Sequence, residues 1–265
     1  MSTRIGIHGA AGRLGQRLVA LAAGDPQFEI AAALESPRHP RLGEDAGLVA
    51  GAGPLQVPLS SQLDVPVDVV VDFSVPAGAM AITDVCLARR LPLVIATTGL
   101  DDEQSARLRS AADTIPLLFA PSMSLAVNLA MKLSSVAAER LADHPSGVDV
   151  EIIERHHRFK EDAPSGTALK FGQIIASQMG QVQARHGRQG RPGARPPGEI
   201  GYHAVRVGDN PGEHAIVFGL LGETLEITVR ATSRDCYAHG ALAAARFLVG
   251  QPAGLYNMDD VMGLE

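Results

Sequence analysis

The sequence predicts an α/β fold: a Rossmann-like, doubly wound parallel sheet joined to a second, α+β domain with a mixed sheet. Strand-like and helix-like segments alternate over the first 120 residues. The strand-like segments there are continuously apolar, which is typical of a parallel sheet covered by helices on both faces. After Ala126 the order changes to long helices followed by several successive strands, which indicates an α+β domain.

Apolar residues mark the elements of the first predicted domain, residues 1–125. Between 13 and 23 they recur at Leu14, Leu18 and Leu21, which is the spacing of one helix face. Short apolar runs bounded by glycine or charge predict the strands. The predicted strands are 5–8, 28–34, 67–73, 91–96 and 115–120, and the predicted helices are 13–23, 76–90 and 101–112.

The second predicted domain spans residues 126–233. A turn at Gly222-Glu223 predicts an antiparallel hairpin. Residues 184–199 are rich in Gly, Pro and Arg without apolar periodicity, and we interpret them as a long loop. We assign 234–265 to completing the first domain, with 250–265 as a tail. The other predicted elements are helices 127–141, 165–179 and 234–249 and strands 148–156, 200–207, 214–220 and 223–231.

Composition excludes several classes of protein. The net charge is −6, with 46% hydrophobic and 20% charged residues, which argues against a nucleic-acid or membrane-surface partner. The two cysteines, Cys86 and Cys236, have no metal-ligand spacing, and we expect reduced thiols. The first residues form neither a signal peptide nor a membrane span. We therefore expect a cytoplasmic protein.

A glycine-rich turn follows the first strand and opens the first helix. Glycines permit a tight turn and let backbone N–H groups approach a pyrophosphate at a helix N-terminus. The spacing is GxxGxxG rather than GxGxxG, and the glycines alone fit a plain strand–turn–helix connection equally well. The candidate cofactor-binding residues here are Gly9, Ala10, Ala11, Gly12, Arg13 and Leu14.

Glu35 strengthens the case for a dinucleotide. It ends the second predicted strand, twenty positions after Gly15, where an acid accepts hydrogen bonds from the adenosine ribose. The next residue is Ser36, and the nearest cations are Arg38 and Arg41. An acid without an adjacent arginine favours NADH, while Arg38 leaves NADPH open.

A basic segment, residues 155–160, follows a predicted strand in this acidic chain. Ser165, Gly166 and Thr167 then open a helix, whose free N–H groups and hydroxyls beside His and Lys suit a small dicarboxylate. The alternatives are a solvated strand end and simple capping of the helix by Ser165. A metal site is not expected, because the neighbouring His156 and His157 point to opposite faces of a strand.

The stretch from Glu151 to Ala168 resembles the EIIE-x-HH-x-x-K-x-DAPSGTA signature of the dihydrodipicolinate reductase family. Further similarity lies at 71–74, 97–99, 205–214 and 255–264, so the resemblance covers nearly the whole chain.

The resemblance implies roles for individual residues. His156 matches the general acid/base and Lys160 a second proton donor, while His157, Gly166 and Thr167 match the groups that hold the substrate carboxylates. Two segments match turns that line the nicotinamide in the family. In these turns Ala96 replaces the family's Gly, Ser122 replaces its Asn and Met123 replaces its Phe. The implied cofactor residues in these turns are Ala96, Thr97, Thr98, Ala120, Pro121, Ser122 and Met123.

The resemblance also implies an activity. It is the NAD(P)H-dependent reduction of a dihydrodipicolinate-type cyclic imine, formed from 4-hydroxy-tetrahydrodipicolinate, to tetrahydrodipicolinate in diaminopimelate and lysine biosynthesis. A homotetramer built through the sheet of the second domain is implied as well. The alternatives are another two-domain NAD(P) oxidoreductase, acting on an amino acid or aldehyde, and a non-catalytic dinucleotide sensor.

Overall fold

The computed structural model describes residues 2–181 and 183–264. The chain divides into two compact units, one made of Met1–Leu125 with Asp235–Glu265 and one of Ala126–Arg234. Strands β1 to β12 are Thr3–His8, Phe28–Leu34, Leu59–Ser60, Val69–Asp72, Leu93–Ile95, Pro116–Phe119, Asp149–His156, Gln183–His186, Glu199–Arg206, Gly212–Gly219, Thr224–Ala231 and Gly254–Tyr256. Helices α1 to α8 are Arg13–Ala23, Ala46–Ala50, Pro76–Arg89, Asp102–Ala111, Leu125–Leu141, Gly166–Met179, Asp235–Leu248 and Met258–Met262.

The first unit is built on a seven-stranded parallel sheet in the order β12-β6-β5-β4-β1-β2-β3. The strand order reverses between β1 and β4, so the carboxyl ends of these two strands form a topological switch point, where ligands of open α/β sheets bind. His8 and Asp72 are partners at that point.

Both faces of this sheet are buried. Val69 and Val71 pack into an apolar cluster with α1 and α7, whereas Val70 packs into a second cluster with α3 and α4. All three valines are 0% exposed, which explains their unbroken apolar run. The predicted doubly wound sheet is therefore confirmed.

The second unit holds a five-stranded mixed sheet in the order β11-β10-β7-β9-β8. Strand β10 is antiparallel to β7 and β11, while β9 is parallel to β7 and β8. Helices α5 and α6 pack on one face through a single apolar cluster that contains Met131, Ile152, Phe171 and Ile216. The predicted mixed sheet is confirmed, including its hairpin.

Two segments differ from the prediction. Residues 183–186 form β8 instead of belonging wholly to a loop, and 250–265 contain β12 and α8 instead of a plain tail. All four side chains of β8 are exposed, so this edge strand leaves no apolar pattern in the sequence. The short elements α2 and β3 also gave no signal, and the remaining bounds agree within two residues. Within the described residues, no helix has the length and apolar character needed to cross a bilayer.

Candidate active site

The glycine loop, residues 9–15, is shaped by backbone contacts that only glycine permits. Gly9 has a φ of +78°, and a Cβ there would lie 2.5 Å from the Phe73 carbonyl oxygen. A Cβ on Gly15 would lie 2.0 Å from the Gly9 carbonyl oxygen. The first turn of α1 therefore packs directly on the loop. Gly12 is the N-cap of α1 and makes no side-chain capping hydrogen bond, which leaves N–H groups available to an anion.

Glu35 is fixed to this loop. Its Oε1 accepts a hydrogen bond from Ala11 N at 2.8 Å, and its Oε2 accepts one from Ser36 N at 3.2 Å. A cavity of about 940 Å³ opens beside it, with apolar walls that include Leu63, Ile82 and Val85. This combination of anchored acid, apolar wall and glycine turn fits the adenosine and pyrophosphate parts of a dinucleotide.

The structure brings only part of the predicted cofactor set to this cavity. Gly9, Ala11, Gly12 and Glu35 line it, together with residues that sequence reasoning missed, among them His8, His39 and Arg89. Ala10 is instead buried in the core, and Arg13 is exposed. The lining does not include Ala10, Arg13, Leu14, Ala96, Thr97, Thr98, Ala120, Pro121, Ser122 or Met123.

The two segments expected near the nicotinamide follow β5 and β6. Thr97 is 4% exposed, and its hydroxyl donates to Asp72 Oδ2 at 2.6 Å. Met123 is 2% exposed and packs in the core with α7. Ala120 is likewise buried, Pro121 and Thr98 are exposed, and Ala96 and Ser122 are half-buried.

A buried carboxylate at the switch point was not predicted as a site residue. Asp72 is 0% exposed and also accepts hydrogen bonds from His8 Nδ1 and Ser74 Oγ, each at 2.6 Å. Its signal in the sequence is an acid at the carboxyl end of an otherwise apolar strand. This network ties together the ends of β1, β4 and β5 beneath the glycine loop.

In the second unit, strand β7 delivers His156 to the end of the sheet. The side chains of Val150, Ile152, Glu154 and His156 alternate onto the buried face. His156 is 7% exposed, and its Nδ1 lies 2.5 Å from Glu154 Oε2. Glu154 was not among the predicted site residues, although the same two-residue alternation places it beside His156.

The charges around His156 set its protonation. Burial lowers its pKa below the ordinary value; Glu154 opposes this, while the positive charges of Lys160 and Arg206 add to it. Burial also disfavours ionisation of Glu154, but hydrogen bonds from Arg206 and His156 outweigh it and hold the pKa of that carboxyl low. At neutral pH the imidazole is therefore neutral, with its proton on Nδ1 toward the carboxylate and a lone pair on Nε2.

Lys160 lies in the turn after β7. Its backbone N–H donates to the His157 carbonyl at 3.1 Å, and its ammonium lies 2.7 Å from Asp162 Oδ1. That hydrogen bond lowers the pKa of Asp162. His157 is half-buried, and its Nδ1 is buried without a hydrogen-bond partner among the described residues.

The three residues at the start of α6, 165–167, differ in exposure: the first is buried and the other two are accessible. Ser165 is 2% exposed; its Oγ accepts from Ala168 N at 3.2 Å and lies 3.1 Å from His214 Nε2. Its hydroxyl therefore serves as the helix cap, and its role toward substrate stays a prediction. Gly166 is exposed and Thr167 half-buried. Their N–H groups lie in the first turn of α6, where a helix lacks internal acceptors.

Comparisons with known proteins agree with this geometry. The family model "Dihydrodipicolinate reductase, N-terminus" matches residues 3–123, and "Dihydrodipicolinate reductase, C-terminus" matches 126–262. A 4-hydroxy-tetrahydrodipicolinate reductase of Rhodopirellula baltica is 53% identical over 97% of this chain and 95% of its own. Another, of Syntrophotalea carbinolica, is 44% identical over 99% of both chains.

A solved structure is also similar. It is the dipicolinate-bound dihydrodipicolinate reductase from Paenisporosarcina sp. TG-14, with a TM-score of 0.78 and 26% identity over 98% of this chain and 99% of that one. The resemblance noted in the motif is thus confirmed across both units. The two family models together span almost every residue, and the chain belongs to the dihydrodipicolinate reductase family.

Proposed function

We propose that this protein is a 4-hydroxy-tetrahydrodipicolinate reductase that converts the derived cyclic dicarboxylate imine to tetrahydrodipicolinate at the expense of NAD(P)H. The observation that carries the proposal is the second-unit site, where His156, Lys160 and the open first turn of α6 follow one another in the family signature. The alternative functions are less favoured: a sensor requires no proton donors, and the reactive cysteine that would favour an aldehyde-type oxidoreductase has no candidate in Cys86 or Cys236.

The substrate is held as a dianion. The N–H groups of Gly166 and Thr167 and the Thr167 hydroxyl receive one carboxylate at the positive end of α6. His157 supports it, since its buried Nδ1 lacks a protein partner among the described residues. The Paenisporosarcina protein binds dipicolinate, a ring with two carboxylates, which is consistent with such a ligand here.

Proton delivery involves both side chains of the predicted pair. His156 is the proton donor toward the reduced ring, and Lys160, whose ammonium lies beside Asp162, shares that role or stabilises the developing charge. His156, which is neutral before substrate arrives, offers Nε2 as an acceptor. A nearby dianion favours the charged imidazole, so His156 takes up its proton together with the substrate. Its role as general acid is therefore coupled to substrate binding.

The cofactor is NADH or NADPH, and we favour NADH. When bound, the reduced nicotinamide supplies the hydride for the ring. Glu35 is anchored toward the cavity, and Arg38, the cation expected to accept a 2′-phosphate, is not among its lining residues. His39 and Arg89 do line the cavity, and they support residual use of NADPH. Equal or better kcat/KM with NADPH would contradict the preference.

The assembly and location follow the same proposal. The face of the β7–β9 pair that points away from α5 and α6 exposes Ile153 and Val205, at 42% and 40%. A homotetramer formed through this sheet covers them, and sedimentation of the purified protein tests it. A biosynthetic reaction that consumes reduced nicotinamide also supports a cytoplasmic location.

The deciding experiment mixes the protein with enzymatically generated imine and either coenzyme, and follows the absorbance of the reduced nicotinamide. Rapid, imine-dependent oxidation of NADH supports the proposal. Binding of NADH without turnover would instead indicate a sensor, and turnover only with an amino acid or aldehyde would indicate the other oxidoreductase class.

A further inference from the structure

Glu154 is an ionised carboxylate that is almost completely buried. Its side chain is 1% exposed, and burying an unpaired charge costs several kcal/mol. A buried carboxylate on the helix-packed face of β7, between Ile152 and His156, therefore needs partners of its own. The surrounding elements supply four donors.

These donors come from three different elements. From β7 itself, His156 Nδ1 lies 2.5 Å from Oε2. From β9, Arg206 donates through its two terminal nitrogens, each at 2.8 Å, to the two carboxylate oxygens. From the start of α6, Ser165 N donates to Oε1 at 3.1 Å. One carboxylate thus connects the proton-transfer residue to the helix whose first turn faces the dianion.

Arg206 keeps this carboxylate charged. The bidentate pair is the strongest common form of carboxylate hydrogen bond, and Arg206 also donates to the Asp162 carbonyl at 2.6 Å. It therefore links Glu154 to the segment that carries Lys160. Its positive charge stabilises the ionised form, so Glu154 remains an acceptor toward His156 throughout the neutral range.

His214, on β10, packs against His156. It is 4% exposed, and its ring meets the ring of His156 edge-on, with centroids 5.2 Å apart. Burial, and then the charge of His156, lower its pKa to about 4. The Ser165 Oγ lies 3.1 Å from its Nε2, within hydrogen-bond distance. His214 is therefore neutral at neutral pH and does not compete for the carboxylate.

We propose that Glu154 is the positioning residue of the site: it fixes His156 as the Nδ1–H tautomer with Nε2 directed away from the carboxylate, and it aligns the first turn of α6 with that imidazole. This inference rests on the proposed function for its catalytic consequence, but its structural half concerns the free protein. Glu154 contacts neither the substrate ring nor the cofactor in this scheme. It acts through His156 and Ser165.

The test uses Glu154→Gln with Glu151→Gln as a matched control. Glu151 lies on the same strand with its side chain on the opposite face, and it also pairs with two arginines and a histidine. Glutamine at 154 offers one acceptor oxygen to four donors and no charge. The groups that face His156 are Glu154, Lys160, Arg206 and His214, and only Glu154 favours its protonated form.

We expect the NMR titration midpoint of His156 to fall and its Nδ1–H population to decrease in Glu154→Gln, and neither to change in Glu151→Gln. In kinetics, kcat should fall roughly 100-fold, with the dissociation constant of NADH unchanged within about twofold. An unchanged His156 titration and tautomer, or equal losses in the two variants, would overturn the proposal.

Glu154→Asp is a second test variant in case the glutamine variant does not fold. It keeps the charge but is one methylene shorter, so it cannot reach all four donors. We expect kcat to lie between those of wild type and Glu154→Gln, while the titration of His156 stays near that of wild type. Wild-type kcat in Glu154→Asp would overturn the role in alignment. If the wild type does not reduce the imine, the proposed function fails, and the NMR comparison still decides the role of Glu154.

Discussion

The glycine loop of the first unit and the basic segment of the second are built in different ways. The loop requires residues without a side chain, because a single Cβ on Gly9 or Gly15 would overlap a carbonyl oxygen. The basic segment depends on charges, because His156 is fixed by a buried carboxylate and Lys160 pairs with Asp162. The loop should therefore be sensitive to added volume and the second site to lost charge.

The largest effect should come from removing Lys160, one of the two side chains that the proposed function places in proton transfer. We expect Lys160→Ala to lower kcat roughly 1,000-fold, in the range of general acid catalysis, while the dissociation constant of NADH is unchanged. Steady-state kinetics and fluorescence titration measure the two quantities. Arg158→Ala, at an exposed position in the same turn, is the control and should keep most of the activity. A parallel loss of NADH affinity in Lys160→Ala would contradict the assignment.

Charge also supports the stability of the second unit on the other face of its sheet. Burial disfavours ionisation of Glu151, but hydrogen bonds from Arg188, His203 and Arg195 lower its pKa to about 2. A lowered pKa gives stability that is complete above the unfolded value near 4.5 and is lost as the pH falls toward 2. After allowance for solvent screening, this pH-linked contribution is about 2 kcal/mol.

Urea unfolding between pH 2 and 6 tests this expectation. The slope of unfolding free energy against pH should be smaller in Glu151→Gln than in the wild type below pH 4.5, the ordinary value for the group. Identical slopes would show that the network does not couple Glu151 to folding.

Added volume should damage the first site by a smaller factor. Gly15→Ala places a Cβ 2.0 Å from the Gly9 carbonyl oxygen, so the loop must shift away from α1. Losing one charge-assisted hydrogen bond, about 1.5–3 kcal/mol, corresponds to a roughly 10- to 100-fold rise in the dissociation constant of NADH. Gly24→Ala, whose Cβ would meet nothing closer than 3.7 Å, is the control. Unchanged affinity in Gly15→Ala would mean that the loop adapts.

The smallest effect concerns a group outside both sites. Cys86 is 0% exposed, and burial raises the pKa of its thiol to about 12. A thiolate is therefore scarce, and we expect no labelling by a thiol reagent in the native protein on a scale of minutes. Mass spectrometry of labelled peptides in buffer and in denaturant gives the comparison, and labelling of Cys86 without denaturant would show local opening.

The sequence contained most of the fold because the buried strands are continuous apolar runs and α1 has a clear apolar face. It missed β8, whose side chains are all exposed, since an edge strand with no buried face has no periodic signal. At the sites, the motif led to His156 and Lys160, but the partners Glu154, Arg206 and Asp72 were missed. The motif was matched through residues expected to bind a ligand, whereas these three side chains hydrogen-bond to other protein groups: Glu154 to His156 and Arg206, and Asp72 to Thr97.

The first unit is discontinuous along the chain, which has a consequence for biosynthesis. One of its two apolar clusters includes Ala241, Leu248 and Met258 from the last segments, and β12 completes the edge of its sheet beside β6. A ribosome releases all of Ala126–Arg234 before these residues emerge. During translation, the second unit can thus complete its core first. The incomplete parallel sheet of the first unit still exposes the surface that α7 will cover.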